Sequence, residues 1–379
     1  MTSFGGGISV RKRSRYFTVC TGIMYKERIY VCHTYYHAYV TLLKEFALPA
    51  SEQGKATLVL STMSSDFSNL KERIEKQGIF EQVVEYDEKP HTYFEELERY
   101  KVGGQGFVKH LINRIIFTKK LAKLQEPYIP VDFKQYKDIY VYCDSDPIGY
   151  YLNYKRIRYH AMEDGLNCIV HWDTARYDNR GHFGLKAFLA SMNLLFIQNG
   201  YSKYCIDMEV NDLESIRYRM PKMKEVPRKP LADRLTEAEK QKIMDVFVEN
   251  IHELKAQLEA LSGDKKNYII LTEPLCAPEV RKQLFRDLVA EYAPHGNITV
   301  KPHPRDGVDY GELFPELIVL EKLVPMEILN FLGEGFFDLA ISVLTDINGI
   351  FFAKESVRLG PDFLDKYEEA SIHRQNEQI

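Results

Sequence analysis

The sequence has little of several features that mark specialised classes of protein. It has a single Trp, and its six cysteines are scattered without CxxC spacing, mostly inside apolar runs, as buried free thiols are. No uncharged run approaches the ~18 residues needed to cross a bilayer, and the N-terminus shows no apolar signal-peptide segment. The net charge of −4 gives no global reason to expect nucleic acid binding. We therefore expect a cytosolic protein in a reducing compartment, which could still sit at a membrane surface.

The pattern that is present indicates two αβ domains. With 379 residues, the chain is too long for one typical core. Strand-like runs alternate with helix-like stretches from Tyr16 onward, and a second alternation starts at Tyr268. Between Arg217 and Pro230 lie three prolines and six basic residues, which is typical of a linker or of a basic rim over an anionic substrate.

We predict an α/β protein with two Rossmann-like parallel-sheet domains facing across a cleft, a layout that is similar to the GT-B glycosyltransferases. The predicted units are a flexible basic tail (1–15), an acceptor-side domain (16–215), a linker with a connecting helix (216–265), a nucleotide-binding domain (266–358) and a C-terminal helix or tail (359–379).

Three local predictions bear on the site or its surroundings. The run His33 to His37 is expected to form a polar turn before a helix over 38–46. An amphipathic helix is expected over 109–124, and its basic face is either solvated or in contact with anionic lipid. A further helix is expected from about Asp346 to Lys354.

A histidine locked between two prolines follows a buried strand in the second domain, in the run Lys301-Pro302-His303-Pro304-Arg305. The prolines fix their own φ and restrict the residues before them. With cations on both sides, His303 suits an anionic ligand at the carboxyl end of a strand. A proline-rich loop with a locally hydrogen-bonded histidine is the alternative.

An acidic pair followed by glycine, Glu163-Asp164-Gly165, ends a predicted strand of the first domain. One of the two carboxylates should turn into the cleft, where it could act as general base for a hydroxyl. One such pair without further acidic residues is a poor Mg²⁺ site, and a solvated turn is the alternative.

Two further positions in the second domain could contact a nucleotide. Glu327 could bind ribose hydroxyls or only complement a helix dipole. Ser342 and Thr345, at a strand-to-helix turn, could bind phosphate with free backbone N–H groups, or Thr345 or Asp346 could simply cap the helix.

The order of these motifs resembles that of the bacterial sialyltransferases, with Glu163-Asp164-Gly165 as their acidic motif and His303-Pro304 as their HP motif. The N-terminal run over 28–43 and the run Ile270-Leu271-Thr272-Glu273-Pro274-Leu275 look most like the lipooligosaccharide type, glycosyltransferase family 52. The resemblance covers about 28–355. It departs from the family at the last motif, where Thr345-Asp346 stands in place of two adjacent hydroxyl residues.

The resemblance implies inverting, metal-independent transfer of sialic acid from CMP-sialic acid to a glycan hydroxyl. Asp164 would be the general base and His303 would assist CMP departure, as acid or as imidazolium. The implied donor-binding residues are Lys301, Pro304, Glu327, Ser342, Thr345, Thr272 and Glu273. It implies no metal and no cofactor other than the donor substrate.

The expected partners are the CMP-sugar, an acceptor glycan that could be lipid-linked, and the inner membrane surface. The sequence does not decide whether the protein forms a homodimer, and no nucleic acid partner is expected. The alternatives are a different CMP-nonulosonic acid, a UDP-sugar transferase or sugar-nucleotide epimerase, and a non-catalytic glycan-binding protein that keeps the fold.

Overall fold

A computed structural model describes residues 25–100, 106–165, 179–216, 219–220, 222–261, 265–333, 335–345, 347 and 350–369. The predicted basic tail (1–15) and Asp346 lie outside the described residues. None of the helices in the described part of the chain is both long and apolar enough to cross a membrane.

The first sheet has seven strands in the order β3-β2-β1-β4-β5-β6-β7, and every neighbouring pair is parallel. Strand Ala56–Ser61 is buried at every residue, as expected for a parallel sheet covered by helices on both faces. The strands are β1 Lys26–Cys32, β2 Ala56–Ser61, β3 Gln82–Tyr86, β4 Tyr136–Val141, β5 Tyr159–Met162, β6 Cys205–Val210 and β7 Met223–Glu225.

The second sheet has five parallel strands in the order β10-β9-β8-β11-β12. Its strands are β8 Lys266–Leu271, β9 Gly296–Lys301, β10 Ile318–Val319, β11 Phe337–Ser342 and β12 Ala353–Arg358. They all lie within the range 266–358 that the sequence assigns to the nucleotide-binding domain.

Helices cover the two sheets and join them. The helices are α1 Tyr35–Phe46, α2 Leu70–Gln77, α3 Phe107–Gln125, α4 Pro147–Lys155, α5 Phe183–Ser191, α6 Arg228–Asp233, α7 Glu237–Phe247, α8 Ile251–Ala260, α9 Pro278–Tyr292, α10 Tyr310–Leu313 and α11 Pro361–Leu364, with a 3₁₀ segment at Met326–Leu332. Helix α7 begins with a capping box, in which Thr236 and Glu239 satisfy each other's backbone N–H groups.

The two domains share apolar core. One cluster of buried side chains combines residues of the first sheet and α1 with Val324 and Ile328 of the second domain. The rings of Tyr39 and Phe331 lie 6.3 Å apart across the same boundary. Apolar packing therefore holds the second domain against α1.

The structure differs from the local predictions at three places. Helix α1 begins at Tyr35, so His37 lies in its first turn rather than in a polar turn. Within the predicted linker, Met223–Glu225 pairs with β6 as a seventh strand. Ala353–Arg358 is a strand paired with β11, where the end of a helix was expected; its side chains are mostly exposed and polar, as on a sheet edge.

Candidate active site

The candidate residues follow strands that lie beside the point where the strand order of each sheet reverses. In the first sheet this switch point falls between β1 and β4, and in the second between β8 and β11. Ligands of open parallel sheets bind beyond the carboxyl ends of strands at such points. The acidic motif follows β5, the neighbour of β4, and the HP motif follows β9, the neighbour of β8.

The Asp164 carboxylate is held by side chains from three separate segments. Its Oδ1 lies 2.9 Å from His37 Nε2 on α1 and accepts from Cys143 Sγ at 3.3 Å. Its Oδ2 accepts from Gln198 Nε2 at 3.4 Å. The Asp164 side chain is about 10% exposed, so this carboxylate is oriented by donors while it keeps an edge open to solvent.

Glu163, the neighbouring carboxylate, turns the other way. It is buried, accepts a hydrogen bond from Asn211 N at 2.6 Å and lies near Arg228. Burial raises the pKa of Glu163, and the charge of Arg228 opposes that change. Glu163 therefore anchors the turn, and Asp164 is the more exposed member of the pair.

The surroundings of two histidines near Asp164 shift their pKa values in opposite directions. The His33 ring lies 3.2 Å from Glu88 and 3.6 Å from Asp146. Burial alone would lower the pKa of His33, but the hydrogen bond to Glu88 and the nearby carboxylates outweigh it and raise that pKa. Burial lowers the pKa of His37, so His37 is neutral at neutral pH.

Within the described part of the chain, His33, Cys143 and Asp146 form one group of metal-ligand type, with ligand atoms within 4.8 Å of one another. These atoms already have other contacts. The His33 ring bridges two carboxylates, and the Cys143 thiol donates to Asp164. The group is accounted for as a hydrogen-bonded ionic cluster behind the candidate base.

Asp144, at the end of β4, is a buried carboxylate that ties the first sheet together. It accepts from Asn199 N at 2.8 Å, Gly200 N at 3.0 Å and the Tyr159 hydroxyl at 2.9 Å. Burial raises the pKa of Asp144 to about 6, against the effect of these hydrogen bonds. Asp144 holds the segment that carries Gln198 towards Asp164.

In the second domain, hydrogen bonds fix the orientation of His303. Its backbone N–H donates to Thr272 Oγ1 at 3.1 Å, and its Nδ1 accepts from Arg305 N at 3.1 Å. A neutral ring with an accepting Nδ1 carries its proton on Nε2. Burial, then the charges of Arg305 and Lys301, lower the pKa of His303 to about 4. His303 is therefore a neutral Nε2–H donor in the free protein.

A buried carboxylate, Asp306, supports this loop. It accepts from Arg281 at 2.5 Å, from the Tyr310 hydroxyl at 2.8 Å and from Thr272 Oγ1 at 3.3 Å. Because Thr272 also accepts the His303 N–H, the network joins α9, the end of β8 and the HP loop.

Lys301 and Glu327 lie on the inner side of the same loop. The Lys301 ammonium donates to Pro302 O at 2.7 Å and to Lys322 O at 3.1 Å. Burial lowers the pKa of Lys301 to about 7, although nearby Glu327 acts in the opposite direction. Burial also raises the pKa of Glu327. Lys301 thus braces loop carbonyls here, and its predicted contact with the nucleotide stays a prediction.

The phenol of Tyr36 connects the two sets of residues. Burial raises the pKa of Tyr36, and the charges of Glu163 and Glu327 raise it further, while Arg228 opposes them. Carboxylates of both domains thus lie near one tyrosine of α1. The acidic motif and the predicted ribose-binding glutamate therefore share one interdomain region.

The turn after β11, which is predicted to bind phosphate, donates hydrogen bonds to the carboxylate of a protein side chain. Glu273 accepts from Val343 N and Leu344 N, each at 2.9 Å, and Thr345 hydrogen-bonds to it as well. The buried Ser342 hydroxyl donates to Thr345 O at 2.9 Å. The assignment of Ser342 and Thr345 to phosphate is untested, and their groups serve the turn itself in this structure.

The structure thus brings the predicted residues into two groups, one around Asp164 and one around His303. Pro304 lies exposed beside the second group. Sequence reasoning missed the supporting residues His37, Gln198 and Asp306. Only His37 carried a local signal, since Thr34 is a good N-cap residue directly before the apolar helix.

Comparisons with known proteins agree with this architecture. The model of glycosyltransferase family 52 matches residues 77–343. The 2,6-sialyltransferase of Vibrionaceae Photobacterium sp. JT-ISH-224, solved with CMP and lactose, has a TM-score of 0.50 at 11% identity, with 84% of this chain and 68% of that chain covered. The α/β-galactoside α-2,3-sialyltransferase of Photobacterium phosphoreum has a TM-score of 0.48 at 11% identity, covering 86% and 89%.

A curated relative, an uncharacterized protein of Haemophilus influenzae, is 29% identical over 103 residues. This match covers 26% of the chain and 32% of the relative, so the chain spans about a third of that relative's length. The predicted GT-B fold and the predicted family are confirmed. Because the family model matches more than two thirds of the length of this chain, the chain belongs to glycosyltransferase family 52.

Proposed function

We propose that this protein is an inverting, metal-independent sialyltransferase that moves sialic acid from CMP-sialic acid to a hydroxyl of an acceptor glycan. The observation that carries the proposal is that each domain holds one oriented polar group just beyond the carboxyl end of a strand, Asp164 after β5 and His303 after β9. Asp164 is a carboxylate held by donors, and His303 is a ring fixed as an N–H donor. The family match supports a glycosyl donor.

In the proposed reaction, Asp164 accepts the proton of the acceptor hydroxyl as its oxygen attacks the anomeric carbon of the sugar. The bond between that carbon and the phosphate oxygen breaks, and CMP leaves with the electron pair. Negative charge grows on the phosphate oxygens, where the Nε2–H of His303 donates a hydrogen bond. The phosphate monoanion of the bound donor would raise the pKa of His303 from its value of about 4 in the free protein, so more of the ring is the imidazolium that can protonate the departing CMP phosphate.

The test is a CMP-release assay with CMP-sialic acid and a galactoside acceptor, run beside UDP-sugars. Asp164→Asn should lower transfer by ~10²–10⁴-fold and leave CMP affinity nearly intact, whereas His303→Ala should weaken both. The exposed Asp233→Asn is the matched control, since the Asp233 side chain is 55% exposed. Turnover of a UDP-sugar without CMP release would refute the proposal. Ligand binding without turnover would favour a non-catalytic glycan-binding protein.

A cytoplasmic location at the inner face of the membrane, where a lipid-linked acceptor would lie, belongs to the same proposal. Helix α3 exposes Phe107, Val108 and Ile112 by 58%, 68% and 51%, and its sequence has five Lys or Arg and no acidic residue. Such a face suits anionic lipid. Flotation with vesicles containing phosphatidylglycerol should recover the protein, and Ile112→Glu should reduce recovery. Val357→Glu in the second domain is the control, and equal recovery of both variants would argue against the contact.

A further inference from the structure

We infer that His37 is a positioning residue for Asp164: fixed as its Nε2–H tautomer, it holds Oδ1 and so orients the carboxylate that accepts the substrate proton. This inference rests on the proposed function, because it assigns a role within that reaction.

Four contacts of this side chain and its backbone fix the His37 ring. Thr34 caps α1 by accepting from His37 N at 3.2 Å, which sets the backbone. The N–H of His33 donates to Nδ1 at 3.1 Å. The ring of Tyr142 stacks on the imidazole at 4.1 Å with an 8° angle between the planes. An accepting Nδ1 requires the proton of a neutral ring to be on Nε2, which points at Asp164.

Donors from three segments hold the Asp164 carboxylate. Oδ1 receives the His37 N–H at 2.9 Å and the Cys143 thiol at 3.3 Å, and Oδ2 accepts from Gln198 at 3.4 Å. Hydrogen bonds to the charged form favour it, and the shortest of these three contacts is the one with His37. His37 also lies 3.2 Å from the Asp164 carbonyl, which fixes the backbone of the same residue.

The charges around His37 keep it in this form. His33 lies on the preceding segment, between Glu88 after β3 and Asp146 before α4, and these carboxylates favour its cation. The His33 charge opposes a second cation on His37, and burial acts in the same direction, so both lower the pKa of His37. Tyr36, Tyr142 and Cys143 also lie against the pair. The arrangement raises the pKa of the histidine that faces the carboxylates and lowers the pKa of the one that orients the base.

Two variants of His37 test the inference. His37→Leu removes both nitrogen atoms, whereas His37→Gln keeps an N–H donor near the position of Nε2. We expect His37→Leu to lower kcat by about 10²-fold, the cost of a misplaced catalytic group, and His37→Gln to restore kcat to within about tenfold of wild type. The KM for CMP-sialic acid should change by less than about twofold in both. His160→Gln is the matched control, since His160 on β5 pairs with Asp207 away from the site.

The pH profile separates positioning from a purely structural role. Loss of a donor to the carboxylate should move the acidic limb of kcat upward by about one pH unit in His37→Leu, and His37→Gln should shift it less. A change in kcat below about twofold, or an unmoved acidic limb in a folded His37→Leu protein, would overturn the inference.

Ring ¹⁵N chemical shifts of the wild-type protein at pH 7 provide a readout that needs no substrate and no variant. They should show His37 neutral, with an unprotonated Nδ1. A charged ring or the opposite tautomer would overturn the inference even if sialyl transfer is confirmed. Conversely, the expected tautomer in a protein that does not turn over CMP-sialic acid would refute the proposed function alone.

Discussion

Replacing Thr272 by valine tests how the second domain holds His303 in place. Thr272 Oγ1 accepts the His303 N–H at 3.1 Å and donates to Asp306 at 3.3 Å. Valine keeps the volume and the β-branched shape and removes only the hydroxyl. Asp306 would retain Arg281 and Tyr310 as donors, so the His303 N–H is the group left without a partner.

The size of the effect follows from the burial of that pair. Thr272 is only 2% exposed, so water does not readily replace its oxygen. A buried donor left unsatisfied costs about 1–3 kcal/mol. If the loop moves to recover part of this free energy, the His303 ring is displaced, and kcat/KM for the donor should fall about tenfold to hundredfold, at about 1.4 kcal/mol for each factor of ten.

The assay compares kcat/KM for CMP release and urea unfolding of wild type, Thr272→Val and Thr272→Ser. Serine keeps the hydroxyl and loses one methyl group, so it should cost only about 1 kcal/mol in stability and little activity. Equal kcat/KM for the valine and serine variants would refute the reasoning, because it would show that the hydroxyl does not hold the loop.

The remaining predictions concern protons and packing. The pKa values of His303 and Lys301 are about 4 and about 7, and a phosphate bound beside these side chains should raise both values. Calorimetry should therefore show proton uptake on CMP binding, and this uptake should be lost near pH 7 in Lys301→Met and near pH 5 in His303→Gln. Binding of CMP to the wild-type protein without proton uptake would contradict this prediction. Because folding raises the pKa of Asp144 from 3.8 to about 6, stability should fall by about 3 kcal/mol as pH rises between these values. Asp144→Asn should remove that part of the slope in urea unfolding, and an unchanged slope would count against it. A Cβ added at Gly149 would meet Asp144 O at 2.3 Å, so Gly149→Ala should lower the free energy of unfolding by at least ~1–3 kcal/mol. A Cβ added at Gly184 on α5 would meet nothing within 4 Å, so Gly184→Ala should be neutral or stabilising. Equal stability of the two variants would contradict the packing argument.

Local patterns predicted much of the fold because each depends on neighbours in sequence. The helix over 107–125 carries apolar residues at helical spacing, and its bounds lie within two residues of the predicted 109–124. The strand before the HP motif is buried and apolar, as predicted. Strand β12 could not be predicted in this way, since Ala353–Arg358 is mostly polar and exposed, and only pairing with β11 makes it a strand.

The supporting contacts of the site were outside the reach of local reasoning. Gln198 meets Asp164 from 34 residues away, and Asp306 binds Arg281 from 25 residues away. Both are polar side chains within ordinary loop or helix sequence, and nothing in their neighbourhood indicates a partner. The surroundings of Glu163 likewise depend on Asn211 and Arg228, which belong to other segments.

The sequence by itself determined the residue types and their places at strand ends: a carboxylate pair before a glycine, a histidine between prolines, and the alternation that makes parallel sheets. Strand order, tautomers and charge states were decided only by the tertiary structure. Asp164 and His303 become candidate catalytic groups because parallel strands align their carboxyl ends at one edge. Burial and hydrogen bonds to distant segments then fix which atom of each side chain carries a proton.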